Sequence, residues 1–222
     1  MEAVVKVGGS LEESPASLRV LCQELSKLSK RHRILIVPGG GRFADRVRES
    51  DKEFSLSPTI AHKMAILGMD QLGLLLSDVI PNSQVTYSLK EAKKFSEKGL
   101  LPILLPSRLM FRNGRLQHSW DVTSDSIAAH IALKVHVEKL ILATDVDGVF
   151  SNNPKEDLKA KLIEKLPVLE LLSWNKRTSV DKFLPKILSK TRLKCYIVNG
   201  QHPKRIKDIL ENRETICTRI IV

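Results

Sequence analysis

The sequence has few of the features that mark membrane-spanning, secreted or disulfide-stabilised proteins. Its three cysteines, Cys22, Cys195 and Cys217, are widely spaced and match no zinc-binding or disulfide pattern. No apolar run reaches the roughly 18 residues that a membrane-spanning helix needs. The N-terminus shows no basic segment followed by an apolar one, as a signal peptide would. We therefore expect a cytoplasmic protein with reduced thiols, no membrane partner and no metal site built from its own side chains.

Aromatic residues are also scarce, at 5% of the chain, while the formal net charge is +11. A basic surface can attract nucleic acid. However, few aromatic side chains are available to stack on single-stranded bases, and the basic residues are spread along separate predicted helices. We therefore expect a general attraction of phosphorylated small molecules and no nucleic-acid partner. A nucleic-acid-binding role is kept as the alternative from another functional class.

Short apolar runs alternate with amphipathic stretches along the chain. The β-type runs lie at residues 3–7, 34–38, 85–87, 101–105, 139–143, 195–198 and 216–222. Helical patterns follow Ser14, Gly41, Ser57, Ser88, Ser124, residue 180 and Pro203. This alternation predicts an α/β fold, with a mostly parallel sheet covered on both faces. No linker or repeat interrupts the pattern, so we predict a single domain over residues 1–222.

One local signal departs from that alternation. The pair Asn113-Gly114 is typical of a two-residue hairpin turn, and apolar residues stand on either side of it. The sequence therefore predicts an antiparallel hairpin inserted at residues 109–117.

Two of the β-type runs break into bare glycines. The first ends Lys6-Val7-Gly8-Gly9-Ser10, and the second ends Val37-Pro38-Gly39-Gly40-Gly41. Glycine lets backbone N–H groups approach an anion closely, and a helix N-terminus favours negative charge. The pair therefore predicts two phosphate sites that face each other, an arrangement suited to a phosphotransferase. For the first loop alone, a surface lysine before an ordinary glycine turn is an equally good explanation.

Two familiar classes of nucleotide-binding protein are not favoured. Residues Gly39–Ala44 fit the dinucleotide pattern G-x-G-x-x-A. That pattern requires a second strand ending in an acidic residue about 20 positions later. A polar stretch at residues 48–57 and then a long helical pattern stand there instead. The P-loop pattern G-x-x-x-x-G-K-[ST] is absent from the sequence as well.

Three later segments place polar side chains after predicted strands or at predicted helix starts. Thr123 or Ser124 can cap a helix whose first turn holds Asp125. Residues Thr144–Phe150 leave a strand as a polar turn, and Val180–Lys186 brings lysines to another helix start. Each segment has a purely structural explanation: a helix cap, a turn at Asp147-Gly148, and a solvated basic face.

Taken together, these segments resemble the amino acid kinase superfamily. The resemblance rests on Lys6–Ser10, the triplet Gly39–Gly41, Thr123–Ala129 and Thr144–Val149, whose order spans nearly the whole chain. Members of this superfamily include acetylglutamate, aspartate, uridylate, isopentenyl phosphate and fosfomycin kinases, and they share an αβα sandwich. The resemblance implies an ATP-dependent kinase, with Mg²⁺ held largely by the nucleotide phosphates, and a homodimer or higher homo-oligomer.

The resemblance also implies particular roles in catalysis and in nucleotide binding. Lys6 would bridge the donor phosphates, and Asp125 would hold the catalytic lysines in position. The second catalytic lysine comes from a late segment, where Lys186 falls at the matching offset and Lys182 lies close by, although the glycines of the family pattern are missing. The implied nucleotide-binding residues are Lys6, Gly8, Gly9, Ser10, Thr144, Asp145, Asp147, Gly148, Val149 and Phe150.

The acceptor site is the least constrained part of the resemblance. Its candidate residues are Gly39, Gly40, Gly41, Arg42, Trp120, Asp121 and Thr123. Arg42, with Arg46 one turn later, suits an acceptor that is itself a phosphate.

The string at residues 119–126, together with Val37–Gly41 and Val180-Asp181, is most similar to the archaeal branch of the superfamily that acts in methanofuran biosynthesis. That branch phosphorylates 5-(aminomethyl)furan-3-ylmethyl phosphate to the diphosphate. The similarity implies that Trp120 stacks on the furan ring and that Asp121 pairs with the aminomethyl group. A uridylate kinase, an isopentenyl phosphate kinase and a non-catalytic relative are the alternatives.

Overall fold

The computed structural model describes residues 1–113, 116–154 and 156–222, and a mostly parallel β-sheet forms its centre. The strands are β1 (Ala3–Val7), β2 (Ile34–Pro38), β3 (Ser83–Thr86), β4 (Leu101–Leu104), β5 (Lys139–Thr144), β6 (Lys165–Pro167), β7 (Lys194–Asn199) and β8 (Thr218–Ile221). Their order across the sheet is β3-β4-β2-β1-β5-β7-β8-β6. In the described residues every strand pair is parallel except β7 with β8, which is antiparallel.

Helices cover both faces of the sheet. They are α1 (Pro15–Ser29), α2 (Gly41–Phe54), α3 (Pro58–Val79), α4 (Leu89–Glu97), α5 (Ser107–Asn113), α6 (Ser124–Lys134), α7 (Val168–Ser173), α8 (Leu184–Leu188) and α9 (Lys204–Leu210). Buried residues of α6, α7 and α8 pack on one face, and those of α1 and α9 pack on the other. This αβα sandwich confirms the predicted fold class. Within the described ranges, no helix combines the length and the hydrophobicity that crossing a bilayer requires.

The central strand β1 positions the first glycine loop. All five of its residues are buried because helices cover both faces of the sheet. Val4 packs in the core on the α6 side, whereas Val5 and Val7 pack in the core on the α1 side. Since side chains alternate along a strand, Lys6 shares the face of Val4 and points towards α6. Strand β1 pairs with β2 and with β5, so the loops that follow these three strands lie side by side.

The predicted hairpin at residues 109–117 is wrong. Leu109, Met110 and Phe111 lie in helix α5, and Met110 is buried in the core. Gly114, the second residue of the predicted turn, lies outside the described residues. Asn and Gly are also the residues that most often end a helix, so this local signal does not distinguish a hairpin turn from a helix terminus.

Two elements of the last third were not predicted from the sequence. Strand β6 has three residues at the edge of the sheet, and α7 has six. Elements this short give little hydrophobic periodicity to recognise.

Lys139 is a buried cation that ties α9 to strand β5. Its Nζ donates hydrogen bonds to the carbonyl oxygens of Ile209 (3.0 Å) and Leu210 (2.8 Å) at the end of α9. Carbonyls at the end of a helix have no partner within the helix, so the Lys139 ammonium supplies one.

Replacing Lys139 with methionine should therefore destabilise the protein. We expect Lys139→Met to lower the free energy of unfolding by about 1–3 kcal/mol, because the Leu210 carbonyl loses its donor. The Ile209 carbonyl loses one donor and keeps the Asn212 N–H at 3.2 Å. Urea denaturation measures this. The matched variant Lys165→Met, at an exposed position of β6, should change the free energy by less than about 0.5 kcal/mol. Equal losses in the two variants would contradict the assigned role of Lys139.

Candidate active site

The loops after β1, β2 and β5 surround a cavity of about 540 Å³, here called the first cavity. It lies at the carboxyl edge of the parallel strands, where ligands of α/β proteins bind. The predicted site residues that line it are Lys6, Gly8, Gly9, Ser10, Gly40, Gly41, Arg42, Trp120, Thr123, Asp125, Thr144 and Asp145. The fold therefore brings together residues from segments that are distant in the sequence.

The two glycine loops are in direct contact. The Gly39 N–H donates to the Val7 carbonyl (2.8 Å), and the Gly8 N–H donates to the Ala143 carbonyl (2.8 Å). A Cβ on Gly39 would lie 2.6 Å from the backbone nitrogen of Gly9, which is closer than real Cβ atoms approach. Glycine is therefore required here by the close approach of the two backbones. The sequence predicted that these loops face each other, and the structure places them side by side.

A buried ion pair lies at the floor of the first cavity. The Lys6 Nζ is 2.7 Å from Asp125 Oδ1, and the two side chains are only 7% and 9% exposed. Asp125 occupies the first turn of α6, where the helix dipole favours a carboxylate. A buried charge is tolerated only when it is paired. An ammonium group has three N–H donors, so Lys6 retains donors for a ligand in the cavity.

Asp181 fixes the position of Asp125, and the sequence analysis gave it no role of its own. The Asp181 N–H donates to Asp125 Oδ2 at 3.0 Å. Its carboxylate accepts hydrogen bonds from the backbone N–H groups of Thr123 and Ser126 at the start of α6. It also accepts from the N–H of Leu184, the first residue of α8. Burial raises the pKa of Asp181, and repulsion from the nearby Asp125 carboxylate raises it further.

The cap of α6 differs from the predicted one. Thr123 occupies the N-cap position, but its side chain makes no capping hydrogen bond. The Thr123 hydroxyl instead donates to Asp181 Oδ2 at 3.0 Å. The carboxylate that satisfies the N-terminus of α6 therefore comes from 55 residues away, as the Ser126–Asp181 bond shows, and local capping rules do not reveal it.

Trp120 is held against helix α2. Its indole Nε1 donates to Asp51 Oδ2 at 2.7 Å, and the guanidinium carbon of Arg48 lies 4.7 Å from the centroid of its ring. Arg48 Nη1 also pairs with Asp45 Oδ1 at 2.6 Å. Trp120, Arg48 and Asp45 all line the first cavity. Arg48 and Asp45 were missed in the sequence, where only the spacing of positions 42, 45 and 48 along one helix could have indicated them.

Gly39 is not among the described residues that line the first cavity, although it contacts Gly9, which is. Four charged residues predicted for the catalytic and acceptor sites also lie apart from this cavity. Arg46 pairs with Glu49 on the outer surface of α2, with 82% of its side chain exposed. Asp121 and Lys182 form an ion pair at 3.7 Å, with side chains 53% and 32% exposed. Lys186 lies on the exposed side of α8, where its Nζ is 5.6 Å from the ring centroid of Phe183. None of the four is among the described residues that line this cavity.

A second cavity of about 420 Å³ adjoins the first. Its lining includes the predicted residues Thr144, Asp145, Gly148 and Phe150, together with Asn153 and Pro154. The sequence analysis did not assign Arg177 and Ser179, which line both cavities. They belong to the loop between α7 and α8, whose sequence matches no pattern that would have indicated a site.

Asp147 and Val149 support the turn and are not among the described residues that line the second cavity. Asp147 pairs with Arg205 and accepts a hydrogen bond from Asn199. Burial raises the pKa of Asp147, but these hydrogen bonds outweigh it and leave the pKa below its ordinary value. The Val149 N–H donates to the Thr218 hydroxyl at 2.7 Å. Their contacts therefore attach the turn to the rest of the protein.

His62 contributes an uncharged ring to the first cavity. Its ring stacks on that of His118, with the two centroids 5.0 Å apart. Burial, followed by the neighbouring His118, lowers the pKa of His62 to about 4. His62 is therefore neutral at pH 7 and adds no positive charge to the lining.

The comparisons with known proteins agree with this architecture. The model of the amino acid kinase family matches residues 1–199. A [5-(aminomethyl)furan-3-yl]methyl phosphate kinase of Methanocaldococcus jannaschii is 35% identical over 218 residues, covering 98% of this chain and 97% of that protein. A uridylate kinase of Thermococcus kodakarensis is 24% identical, with 97% of each protein covered. The chain belongs to the amino acid kinase family, and it is a phosphotransferase.

Solved structures show the same fold. The crystal structure of uridylate kinase from Archaeoglobus fulgidus matches with a TM-score of 0.78 at 24% identity, and all of both chains is covered. The crystal structure of an isopentenyl phosphate kinase substrate complex matches with a TM-score of 0.66 at 22% identity, covering 99% of each chain.

The neutral state of His62 makes the stability of the protein depend on pH. The folded-state pKa of about 4 lies below the ordinary value of 6.5, so the unfolded chain takes up the proton first. The contribution of neutral His62 to the free energy of unfolding is fully present above pH 6.5 and is lost as the pH falls to about 4. The total loss is up to about 3 kcal/mol.

Urea denaturation at a series of pH values tests this dependence. We expect His62→Gln to flatten the curve in that window. The control His136→Asn changes an exposed histidine whose positive φ asparagine tolerates, and it should leave the curve unchanged. A His62→Gln curve that runs parallel to the wild-type curve would refute the assignment.

Proposed function

We propose that this protein transfers the γ-phosphoryl group of ATP to a small acceptor that itself carries a phosphate group. The observation that supports this most directly is the contact between the two glycine loops above the Lys6–Asp125 pair. One loop is proposed to hold the phosphates of ATP and the other the phosphate of the acceptor. Their contact would bring the two phosphates close enough for direct transfer.

The charges on the reactants explain which groups the site needs. A phosphate monoester is largely dianionic at pH 7, because its second pKa is about 6. One of its oxygens attacks the γ-phosphorus, the bond to the β,γ-bridging oxygen breaks, and ADP leaves with the electron pair. No proton has to be removed from the acceptor, so the reaction requires cations and N–H donors rather than a general base. Lys6 and the loop N–H groups would supply these, and Mg²⁺ held by the ATP phosphates would add further positive charge.

We propose 5-(aminomethyl)furan-3-ylmethyl phosphate as the acceptor. The 35% identical relative supports this choice over nearly its full length. Trp120 offers an aromatic surface in the first cavity, and Arg42 and Arg48 can bind the acceptor phosphate. Two carboxylates are candidates for the aminomethyl ammonium: Asp121, predicted from the sequence, and Asp45, which lines the cavity. The homo-oligomer implied by the family resemblance stays a prediction.

The first test is a coupled assay of ADP release with ATP and a panel of acceptors. The panel contains the aminomethylfuran phosphate, UMP and isopentenyl phosphate. We expect turnover of the first, and Lys6→Ala should lower kcat by about 100-fold or more, since it removes a cation from the transferred group.

Two controls make the result interpretable. Lys27→Ala removes an exposed lysine of α1 and should retain full activity. Thermal melting establishes that the Lys6→Ala protein is folded despite the loss of the partner of Asp125. Turnover of UMP alone would refute the furan acceptor, and full activity of Lys6→Ala would refute the mechanism.

A second test locates the recognition of the acceptor. We expect Trp120→Ala and Asp45→Asn each to raise the KM for the aminomethylfuran phosphate by about 10-fold or more, because each removes a contact with the bound acceptor. Asp121→Asn is the matched comparison, since it makes the same chemical change outside the cavity. A higher KM for Asp121→Asn alone would assign binding of the acceptor ammonium to Asp121. Unchanged KM and kcat in all three variants would refute this acceptor site.

A further inference from the structure

The junction of the two cavities carries a cation that the family resemblance does not account for. Thr144, Asp145, Arg177 and Ser179 line both cavities. A nucleotide whose base lies in the second cavity and whose γ-phosphate reaches Lys6 must pass these four residues. Arg177 is the cation among them, so a nucleotide on this path would meet a guanidinium group there.

The lysines expected at this position lie elsewhere. Lys182 pairs with Asp121, and Lys186 lies beside the ring of Phe183. Among the described residues that line the two cavities, neither lysine is present. The α7–α8 loop therefore presents Arg177 to the junction, whereas its Lys176 lines the second cavity alone and its Lys182 pairs with Asp121.

Ser179 gives a second, independent indication of a ligand at the junction. Its Oγ is buried and has no hydrogen-bond partner in the part of the chain that the structure describes. A buried hydroxyl without a partner is costly. Because Ser179 borders both cavities, its hydroxyl is positioned to donate to an oxygen of a molecule that spans them.

The loop that carries these two residues is attached to the ion pair at the cavity floor. The Thr178 N–H donates to the Val180 carbonyl at 3.1 Å, which closes a tight turn around Ser179. Val180 and Asp181 follow directly and are buried. The Asp181 N–H then bonds Asp125, which itself pairs with Lys6. The main chain that carries Arg177 and Ser179 is thus connected to Lys6 through Asp181 and Asp125.

We propose that Arg177 is the second catalytic cation of this kinase. The Ser179 hydroxyl donates a hydrogen bond to an oxygen of the same donor phosphates. This inference rests on the proposed function. Lys6 acts on the γ-phosphoryl group, while Arg177 binds the β-phosphate and the β,γ-bridging oxygen. As that P–O bond breaks, its electron pair stays on ADP beside the guanidinium, and the acceptor oxygen forms the new P–O bond. A guanidinium suits this position because it is always charged and can bind two oxygens at once.

Steady-state kinetics tests the assignment against the competing one. We expect Arg177→Gln to lower kcat by about 100-fold or more, with the KM for the acceptor changed by less than about 3-fold, because the contact strengthens as charge develops on ADP. Added guanidinium ion should restore part of the activity of Arg177→Gly. The matched control Arg192→Gln removes an exposed arginine after α8 and should behave as wild type. If the loss falls on Lys186→Gln and spares Arg177→Gln, the inference is overturned.

A binding measurement keeps this inference separate from the proposed function. Inorganic triphosphate, titrated calorimetrically, probes the phosphate path without an acceptor. We expect Arg177→Gln to weaken its binding by about 10-fold, and Arg192→Gln to leave it unchanged. Absent binding to wild type, or equal binding to wild type and Arg177→Gln, would overturn the role of Arg177. If no acceptor in the panel is turned over but triphosphate binding still depends on Arg177, the proposed acceptor alone is refuted.

Discussion

The buried contact between the Lys6 ammonium and the Asp125 carboxylate is the interaction on which the site depends. Removing two charges from water costs several kcal/mol for each ion unless the geometry compensates for it. The core positions both partners, since Lys6 belongs to the central strand and Asp125 to the helix packed on that strand. Asp181 bonds the second oxygen of Asp125, so the α7–α8 loop is aligned on the same carboxylate. Strand, helix and loop are thereby held in one arrangement.

The lining of the first cavity is electrically balanced although the whole chain carries a charge of +11. Its described lining includes four basic side chains, Lys6, Arg42, Arg48 and Arg177, and four acidic ones, Glu13, Asp45, Asp125 and Asp145. The overall charge can attract anions from a distance, but discrimination inside the cavity depends on where each charge stands. Paired charges of both signs suit a reaction partner that bears a phosphate and an ammonium together.

Local patterns in the sequence predicted the sheet and the glycine loops, and the resemblance to the amino acid kinase superfamily implied the pairing of Lys6 with Asp125. Neither predicted Arg48 and Asp45, since the face that α2 turns to the cavity is decided by contacts such as the bond from Trp120 to Asp51, 69 residues apart. Sequence patterns also did not predict Arg177 and Ser179, because the long-range hydrogen bonds of Asp181 determine the conformation of their loop. The pair Asn113-Gly114 led to the wrong prediction of a hairpin because this pair is common both in turns and at helix ends.

The contact between Gly9 and Gly39 divides the site into a part that tolerates change and a part that does not. Any side chain at Gly39 would push the two backbones apart, and that would lengthen the path between the proposed phosphate sites of donor and acceptor. The distance between the two proposed phosphate sites is therefore set by main-chain contacts, which substitutions at Gly39 would disrupt. Trp120, Arg48 and Asp45 stand at the rim, and they can be exchanged without touching that spacing. In this chain the residues proposed to recognise the acceptor are therefore separate from the backbone contact proposed to set the transfer distance.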